Sequence, residues 1–315
     1  MKRILLYILF SGIALWANNN ARYAGSYTRL GLGARSIAMG NTGVAMPGSG
    51  YAFYYNPALS GNHEDKIFSN AYTFMPLDRH VYFVGYSMRV PPGAGFSIGW
   101  LNSGTGSFTS YNSIGQGDGK IDHSANAIYG SFSRQFSDRF SIGVTIKVLF
   151  ESIDGGSDFD YSSYGVGGDF GVFYKVDDNL SLGAVYKDFG SKLKANTEDI
   201  FERGGTTIDY FPRLLRVGAF YTTPYEWLNL AYDFEISSKK EHTHHFGIEA
   251  KHGRNLAFRT GITNFREEIE RANQFFAGVG FDFKLYTYIS HLDYAFISSK
   301  VDEGESHLFS WEIHF

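Results

Sequence analysis

The 315-residue chain has no cysteine at all, which removes disulfides, thiolate metal sites and cysteine nucleophiles. Beyond the first 17 residues, no window approaches the roughly 18 consecutive apolar residues of a spanning helix, so helical membrane spans are excluded. A strong charge of either sign is missing too. The formal net charge of −4 gives no reason to expect nucleic-acid binding. What is abundant is 37 Gly, 22 Tyr and 29 Phe, at a mean hydropathy of only −0.20. An aromatic, glycine-rich, hydropathically neutral chain fits a β-barrel, whose apolar residues alternate with polar ones.

The chain begins "MKRILLYILFSGIALWANNN", with Lys2 and Arg3 ahead of an apolar run from Ile4 to Trp16. The run is short of the ~20 residues a spanning helix needs but normal for a signal-peptide core. Residues 1–17 are therefore expected to be a cleaved export signal ending at Ala17, the alternative being an N-terminal anchor or a buried helix. No cysteine follows the run, so a lipoprotein is not expected.

Strand alternation is clearest in "RFSIGVTIKVLF": Phe140, Ile142, Val144, Ile146, Val148 and Phe150 share one parity, Ser141, Gly143, Thr145 and Lys147 the other. Successive strand side chains point to opposite faces, so one face is apolar and the other small or polar. "WLNLAYDFEI", "RNLAFRTGI" and "FFAGVGFDFK" repeat the pattern. Marking every such segment predicts strands near 67–75, 79–89, 93–102, 124–136, 139–152, 164–176, 178–188, 212–223, 225–237, 242–251, 253–263, 272–284, 286–298 and 305–315. Connections alternate between short ones and long ones, the latter including 103–123, 153–163, 189–211 and 264–271. Short periplasmic turns alternating with longer outer loops mark bacterial outer-membrane barrels. The expected fold is all-β: a transmembrane antiparallel up-and-down barrel of about 14 strands over residues 67–315, in the outer membrane of a Gram-negative bacterium. A soluble exported β-sandwich is the alternative, but it would keep a polar outer face on both sheets.

The last strand, "HLFSWEIHF", places Phe309, Trp311, Ile313 and Phe315 on one parity. It resembles the C-terminal signal read by the barrel insertion machinery, so that machinery and outer-membrane lipid are expected partners. The bland alternative is an ordinary amphipathic strand.

An Arg or Lys facing lipid would cost about 2–4 kcal/mol at mid-membrane. Lys147, Lys187, Arg216, Asp233, Glu235, Glu249, Arg259, Asp282, Asp293 and Glu312 should therefore face the lumen. Arg216, Asp233 with Glu235, Glu249 and Arg259 fall on four successive strands, suiting an interstrand ion network. Such charges brace a lumen or select a solute. Gly183, Gly218, Gly247, Gly261, Gly278 and Gly280 share the inner parity and leave room for a bulky neighbour.

Three enzymatic or metal readings fail on their partners. "HTHH" (His242, His244, His245) lacks acidic or cysteine companions and reads as a rim cluster. Asp118, Asp122, Asp158 and Asp160 match no complete calcium loop. No G-x-S-x-G context appears, so no hydrolase, metal or cofactor is assigned.

"GLGARSIAMGNTGVAMPGSGYAFYYNPAL" (31–59) invites a nucleotide-loop reading and fails it. Gly31 and Gly33 fit G-x-G-x-x-G, but position 36 is Ser, and Gly40 is followed by Asn41 rather than Lys. Small residues ahead of a barrel's first strand suit close packing inside the lumen, where Arg35 meets lumen carboxylates. Residues 18–66 are expected to be an N-terminal plug. "GLGARSIAMGNTGVA" followed by "YYNPAL" resembles the PorV/PorQ group of outer-membrane proteins, related in architecture to the FadL hydrophobic-compound transporters. The matching positions include Gly31, Gly33, Ala34, Arg35, Ala38, Met39, Gly40, Asn56 and Pro57; Pro47-Gly48-Ser49-Gly50 replaces the group's usual acidic pair. The resemblance implies a plugged barrel of about fourteen strands and an accessory role in type IX secretion. Its partners would be a translocon, a surface peptidase and exported cargo contacting 103–123 and 189–211. The FadL alternative implies a channel whose partner is a hydrophobic small molecule.

Overall fold

The computed structural model describes residues 23–111, 114–155, 160–198, 204–239, 241–265, 273–299 and 303–315. The expected export signal, Asp158 and the side chain of Asp118 lie outside the described residues. Sixteen strands form one sheet. The first seven are β1 (Ile67–Met75), β2 (Arg79–Val90), β3 (Ala94–Tyr111), β4 (Gly117–Ser137), β5 (Phe140–Asp154), β6 (Asp160–Lys175) and β7 (Leu180–Phe189). A short pair follows, β8 (Lys192–Asn196) and β9 (Thr206–Tyr210). The rest are β10 (Leu214–Thr222), β11 (Leu228–Ser237), β12 (His242–His252), β13 (Leu256–Phe265), β14 (Asn273–Leu285), β15 (Tyr288–Ile297) and β16 (Ser306–His314).

Fourteen of these close an antiparallel barrel. β7 pairs directly with β10, and β1 pairs with β16, Ile67 opposite His314 and Phe74 opposite His307. The β8–β9 hairpin stands outside the closed ring and touches it where Ser163 and Tyr164 of β6 meet Ala195 and Lys194. Among the described residues no helix is long and apolar enough to cross a membrane.

The alternation dictates which side faces what. Along β5, Phe140, Val144, Ile146, Val148 and Phe150 are exposed on the outside, while Ser141, Thr145, Lys147 and Leu149 are buried within. Large apolar side chains are exposed in the same way on nearly every strand, an area far beyond the patches soluble monomers present. Lipid is the solvent that covers such a surface.

One expectation needs correcting. The outer connections are not uniformly long, because β3 and β4 run through most of 103–123 and stop only at Tyr111 and Gly117. The long connection at 189–211 is itself partly strand, since it contains the hairpin. The ends are still distinguishable. Turns such as Ser137–Phe140 and Leu285–Tyr288 lie at one end, and the hairpin lies at the other.

Residues 23–62 occupy the interior. They form a 3-10 turn at Ser26–Arg29, helix α1 (Ala34–Ala38), helix α2 (Ala52–Tyr55) and a 3-10 turn at Pro57–Leu59. The wall is glycine at several points where this segment's backbone passes. A methyl group at Gly247 would strike the Met39 carbonyl, at Gly261 the Gly40 amide, and at Gly278 the Ala38 side chain. On the opposite side, Gly143, Gly171 and Gly183 give way to Pro57, Asn56 and Val44. Glycine in a strand costs packing, and here close approach of a second backbone offsets that cost.

Candidate functional site

The interior segment meets the wall in two chemically different ways. Towards β11–β16 the contacts are ionic and directional. Arg35 of α1 donates Nε and Nη2 to the two carboxylate oxygens of Glu249, each at 2.8 Å. Glu249 also accepts from Arg259 Nε at 2.7 Å and Asn229 Nδ2 at 2.8 Å, and Arg259 turns its other arm to Asp293. A buried carboxylate with this many charged donors holds its partners firmly, because losing it would leave their charges uncompensated.

A second clamp lies one strand away. Asp233 accepts the amides of Gly43 at 2.9 Å and Val44 at 3.2 Å and pairs with Arg216 at 3.2 Å. Arg216 donates to the Asn41 carbonyl, and Glu235 lies 3.9 Å from it. The Gly40 carbonyl accepts from Thr263 Oγ1 at 2.8 Å and lies 2.8 Å from His245 Nδ1. Glu312 completes the set, accepting from Ser49 Oγ at 2.5 Å and the Gly50 amide at 3.3 Å. The expected single network across four strands is thus two clamps, one centred on Glu249 and one on Asp233. Asp282 belongs to neither; it pairs with His291 at 2.6 Å.

Asn56 anchors the far end of the segment. Its Nδ2 donates to the Val44 and Val172 carbonyls at 2.8 and 2.9 Å, and its Oδ1 accepts the Ala58 amide at 3.0 Å. Pro57 follows at the first position of the 3-10 turn, where no amide donor is needed. Gly31 and Gly33, both at positive φ, bend the chain into α1, and Ala34 donates its amide to Ser310 Oγ.

Towards β1–β5 the contacts are mainly aromatic and uncharged, with Tyr51 Oη donating to the Asn70 carbonyl at 2.6 Å and Ser141 Oγ to the Ala58 carbonyl at 2.9 Å. Tyr27, Tyr51, Phe53, Tyr54 and Tyr55 pack with Phe83, Leu101, Tyr129 and Leu149 of the wall, with Leu193 of the hairpin and Phe211 beyond it. Ring centroids lie 5.6 Å apart for Tyr51–Phe83 and 5.9 Å for Tyr54–Tyr129. The Tyr129 hydroxyl is buried with no hydrogen-bond partner among the described residues.

Lys147 does not join the Arg35 clamp. It is buried between Asp169 at 2.7 Å and Asp188 at 2.5 Å; Asp169 shares the inward parity of β6 but was not among the sequence candidates, and Asp188 was not either. Asp188 lies on the lipid-side parity of β7. A register shift between β6 and β7, with Asp188 at φ 62°, turns it inward. An aspartate on a lipid-side parity is itself the signal for such a bulge, since lipid would not tolerate it. Lys187 donates to the Tyr54 carbonyl at 3.1 Å and sits over the Tyr54 ring.

A cavity of about 180 Å³ opens between the segment and the wall near the short-turn end, lined by Arg35, Glu249, Arg259, His291, Asp293 and Glu312 among others. Of the remaining sequence candidates, Phe309 and Trp311 are exposed on the lipid side, and Phe315 packs beside Tyr86 and Tyr288. His242 and His244 face outward while His245 faces in. Asp122 and Asp160 are strand residues on either side of Asp154.

No family profile matches the chain, and no curated protein matches it by sequence. Solved structures do match its fold. The toluene transporter TbuX of Ralstonia pickettii is 15% identical, with a TM-score of 0.63 over 90% of this chain and 97% of its own. The toluene transporter TodX of Pseudomonas putida is 16% identical, with a TM-score of 0.62 over 90% and 96%. A FadL homologue of Pseudomonas aeruginosa is 12% identical, with a TM-score of 0.61 over 90% and 97%. These neighbours are channels and transporters rather than enzymes.

They overturn the expectation of a PorV/PorQ-type secretion role with a translocon, surface peptidase and cargo. The physical reason lies in what the resembling residues do. Gly31, Gly33, Ala34, Arg35, Gly40, Asn56 and Pro57 are spent on seating the segment against the wall, a task independent of anything carried or delivered.

Proposed function

We propose that the chain is an outer-membrane channel of a Gram-negative bacterium for small hydrophobic molecules. Residues 18–66 are its hatch, residues 67–315 its barrel and residues 1–17 its export signal. Outer-membrane lipid surrounds the barrel. The observation that carries the reading is the ring-lined contact between the interior segment and the β1–β5 wall, within a fold resembling toluene transporters.

Apolar ring contacts are non-directional, so they part and re-form around a solute of similar chemistry at little cost. The ionic clamps keep the segment attached to β11–β16 while the other side yields. A hydrocarbon entering near the β8–β9 hairpin passes between Tyr54 and Tyr129. It gains nothing from the charged cavity beyond, which favours its release.

Uptake of toluene and of a small sugar into vesicles containing the full-length barrel tests the reading. Toluene uptake should rise above empty vesicles while sugar uptake does not; equal entry of both, or of neither, would refute it. Deleting 31–59 should leave a barrel that inserts but admits the sugar as well. Failure of that variant to insert would make the segment part of the folding core rather than a hatch.

A further inference from the structure

The seam between the interior segment and β1–β4 carries hydroxyls as well as rings. Four of them are buried and bonded to nothing among the described residues: Tyr129 Oη on β4, Ser97 Oγ on β3, Ser69 Oγ on β1 and Ser60 Oγ on the segment. None of the four residues is more than 2% exposed. Their places along the seam follow from the register. Tyr129 is opposite Gly99, and its ring lies 5.9 Å from that of Tyr54 and 6.5 Å from that of Phe53. Ser97 is two residues nearer the short turn at Val90–Ala94, about 7 Å along the strand. It lies between Gly99, where a methyl group would touch Phe53, and Gly95, where one would strike Gly61 and Ser60. A methyl group at Gly50 would strike Ser69 Oγ.

Other hydroxyls that meet the segment are bonded to it. Thr263 Oγ1 donates to the Gly40 carbonyl, Ser141 Oγ donates to the Ala58 carbonyl, and Ser310 Oγ accepts the Ala34 amide. A buried hydroxyl left without a partner is costly, and a ligand that bonds it removes the cost. Rings alone would suit a hydrocarbon, whereas rings with unpaired hydroxyls between them suit a ring that carries a hydroxyl.

The charges beside Tyr129 show that this solute is neutral. Lys147, opposite Tyr129 across β4 and β5, is held between Asp169 and Asp188, and Lys187 sits over the Tyr54 ring. Two cations against two carboxylates leave no net charge for an ionised solute to balance. A neutral aromatic hydroxyl fits, since its ring replaces the Tyr54–Tyr129 contact and its oxygen both donates and accepts.

We infer that the solute is a hydroxylated monoaromatic compound of the phenol class, bonded by Tyr129 Oη between the rings and passed to Ser97 and Ser60 on the way to the short-turn end. This rests on the channel reading proposed above and narrows its solute.

Isothermal titration calorimetry on the full-length barrel in detergent tests it, with p-cresol, toluene and benzoate as probes and detergent alone as the blank. p-Cresol is toluene with one hydroxyl added, so the pair isolates that group. p-Cresol should bind about tenfold tighter than toluene, the worth of one buried hydrogen bond. Benzoate should bind no better than toluene. Tyr129→Phe should abolish the preference for p-cresol and leave toluene binding unchanged. Tyr27→Phe should keep the preference, because that hydroxyl is already bonded to the Asn126 carbonyl. Equal affinity for p-cresol and toluene, tighter binding of benzoate than of p-cresol, binding of none of the three, or a preference that survives in Tyr129→Phe would overturn the inference. The channel reading fails separately, when toluene and the sugar enter vesicles alike.

Discussion

The two halves of the barrel interior hold the same segment by opposite means. Towards β11–β16, Glu249, Asp233 and Glu312 fix it with charged, directional bonds to Arg35, Gly43, Val44 and Ser49. Towards β1–β5, Tyr51, Phe53 and Tyr54 rest on Phe83 and Tyr129 through ring contacts, supplemented by neutral hydrogen bonds from Tyr51 to the Asn70 carbonyl and from Tyr27 to the Asn126 carbonyl. A buried ion pair is lost all at once when one partner goes, whereas apolar contact degrades gradually with separation. On the channel reading proposed above, one half stays closed and the other yields, an asymmetry that measurement can break.

The largest effect is expected at Glu249. Glu249→Ala leaves Arg35 and Arg259 without their shared carboxylate in a buried site, a loss of about 3–5 kcal/mol. Thermal unfolding followed by the gel mobility of unheated barrel measures it. A loss under about 1 kcal/mol, the range of exposed pairs, would mean the clamp is wetter than its geometry implies. Next comes Gly261→Ala, whose methyl would press on the Gly40 amide and the Met39 carbonyl. Overpacking of this kind costs about 1–3 kcal/mol. It should loosen the segment on its clamped side, seen as new protease cleavage between residues 31 and 59 in an intact barrel. Unchanged protection would show that the wall, not the segment, moves.

The barrel was legible in the sequence because lipid enforces strict alternation, as in Phe140 to Phe150 of β5, and because turns punctuate it regularly. The upper parts of β3 and β4 were not. "SGTGSFTSYNSIGQGDGK" is polar and glycine-rich, and a strand rising clear of lipid no longer has to alternate. Asp188 was hidden by its bulge, since a single added residue reverses parity locally. Lys147 was legible as an inward charge but its partners were not: Asp169 lies beside it on β6 through a strand register that no single strand writes, and Asp188 through the bulge. Function was the least legible. The "GARSIAMG" and "NPAL" stretches report how a segment is seated, and several kinds of barrel need a seated segment.

A smaller effect belongs to the hinge between segment and wall. Burial pushes His63 below the usual histidine value, aided by the nearby His314 and opposed by its bond to the Asp65 carbonyl at 2.6 Å. The unfolded chain then binds the proton more readily, so this contribution is present above the ordinary value of about 6.5 and is lost as pH falls below it. His63→Gln should remove a slope of at most about 1.4 kcal/mol per pH unit from unfolding measured between pH 7 and pH 5. An identical slope in the variant would remove His63 from the account.

The smallest effect separates ring contact from hydrogen bonding on the yielding side. Tyr27 Oη donates to the Asn126 carbonyl at 2.9 Å, whereas Tyr129 Oη has no partner among the described residues. Tyr27→Phe should lose about 1 kcal/mol of stability. Tyr129→Phe discards a hydroxyl that is desolvated without compensation, so it should be neutral or slightly stabilising, while making the Tyr54 contact more apolar. Toluene uptake should then hold steady or rise in Tyr129→Phe. A loss of uptake without loss of stability would instead assign that hydroxyl to the solute.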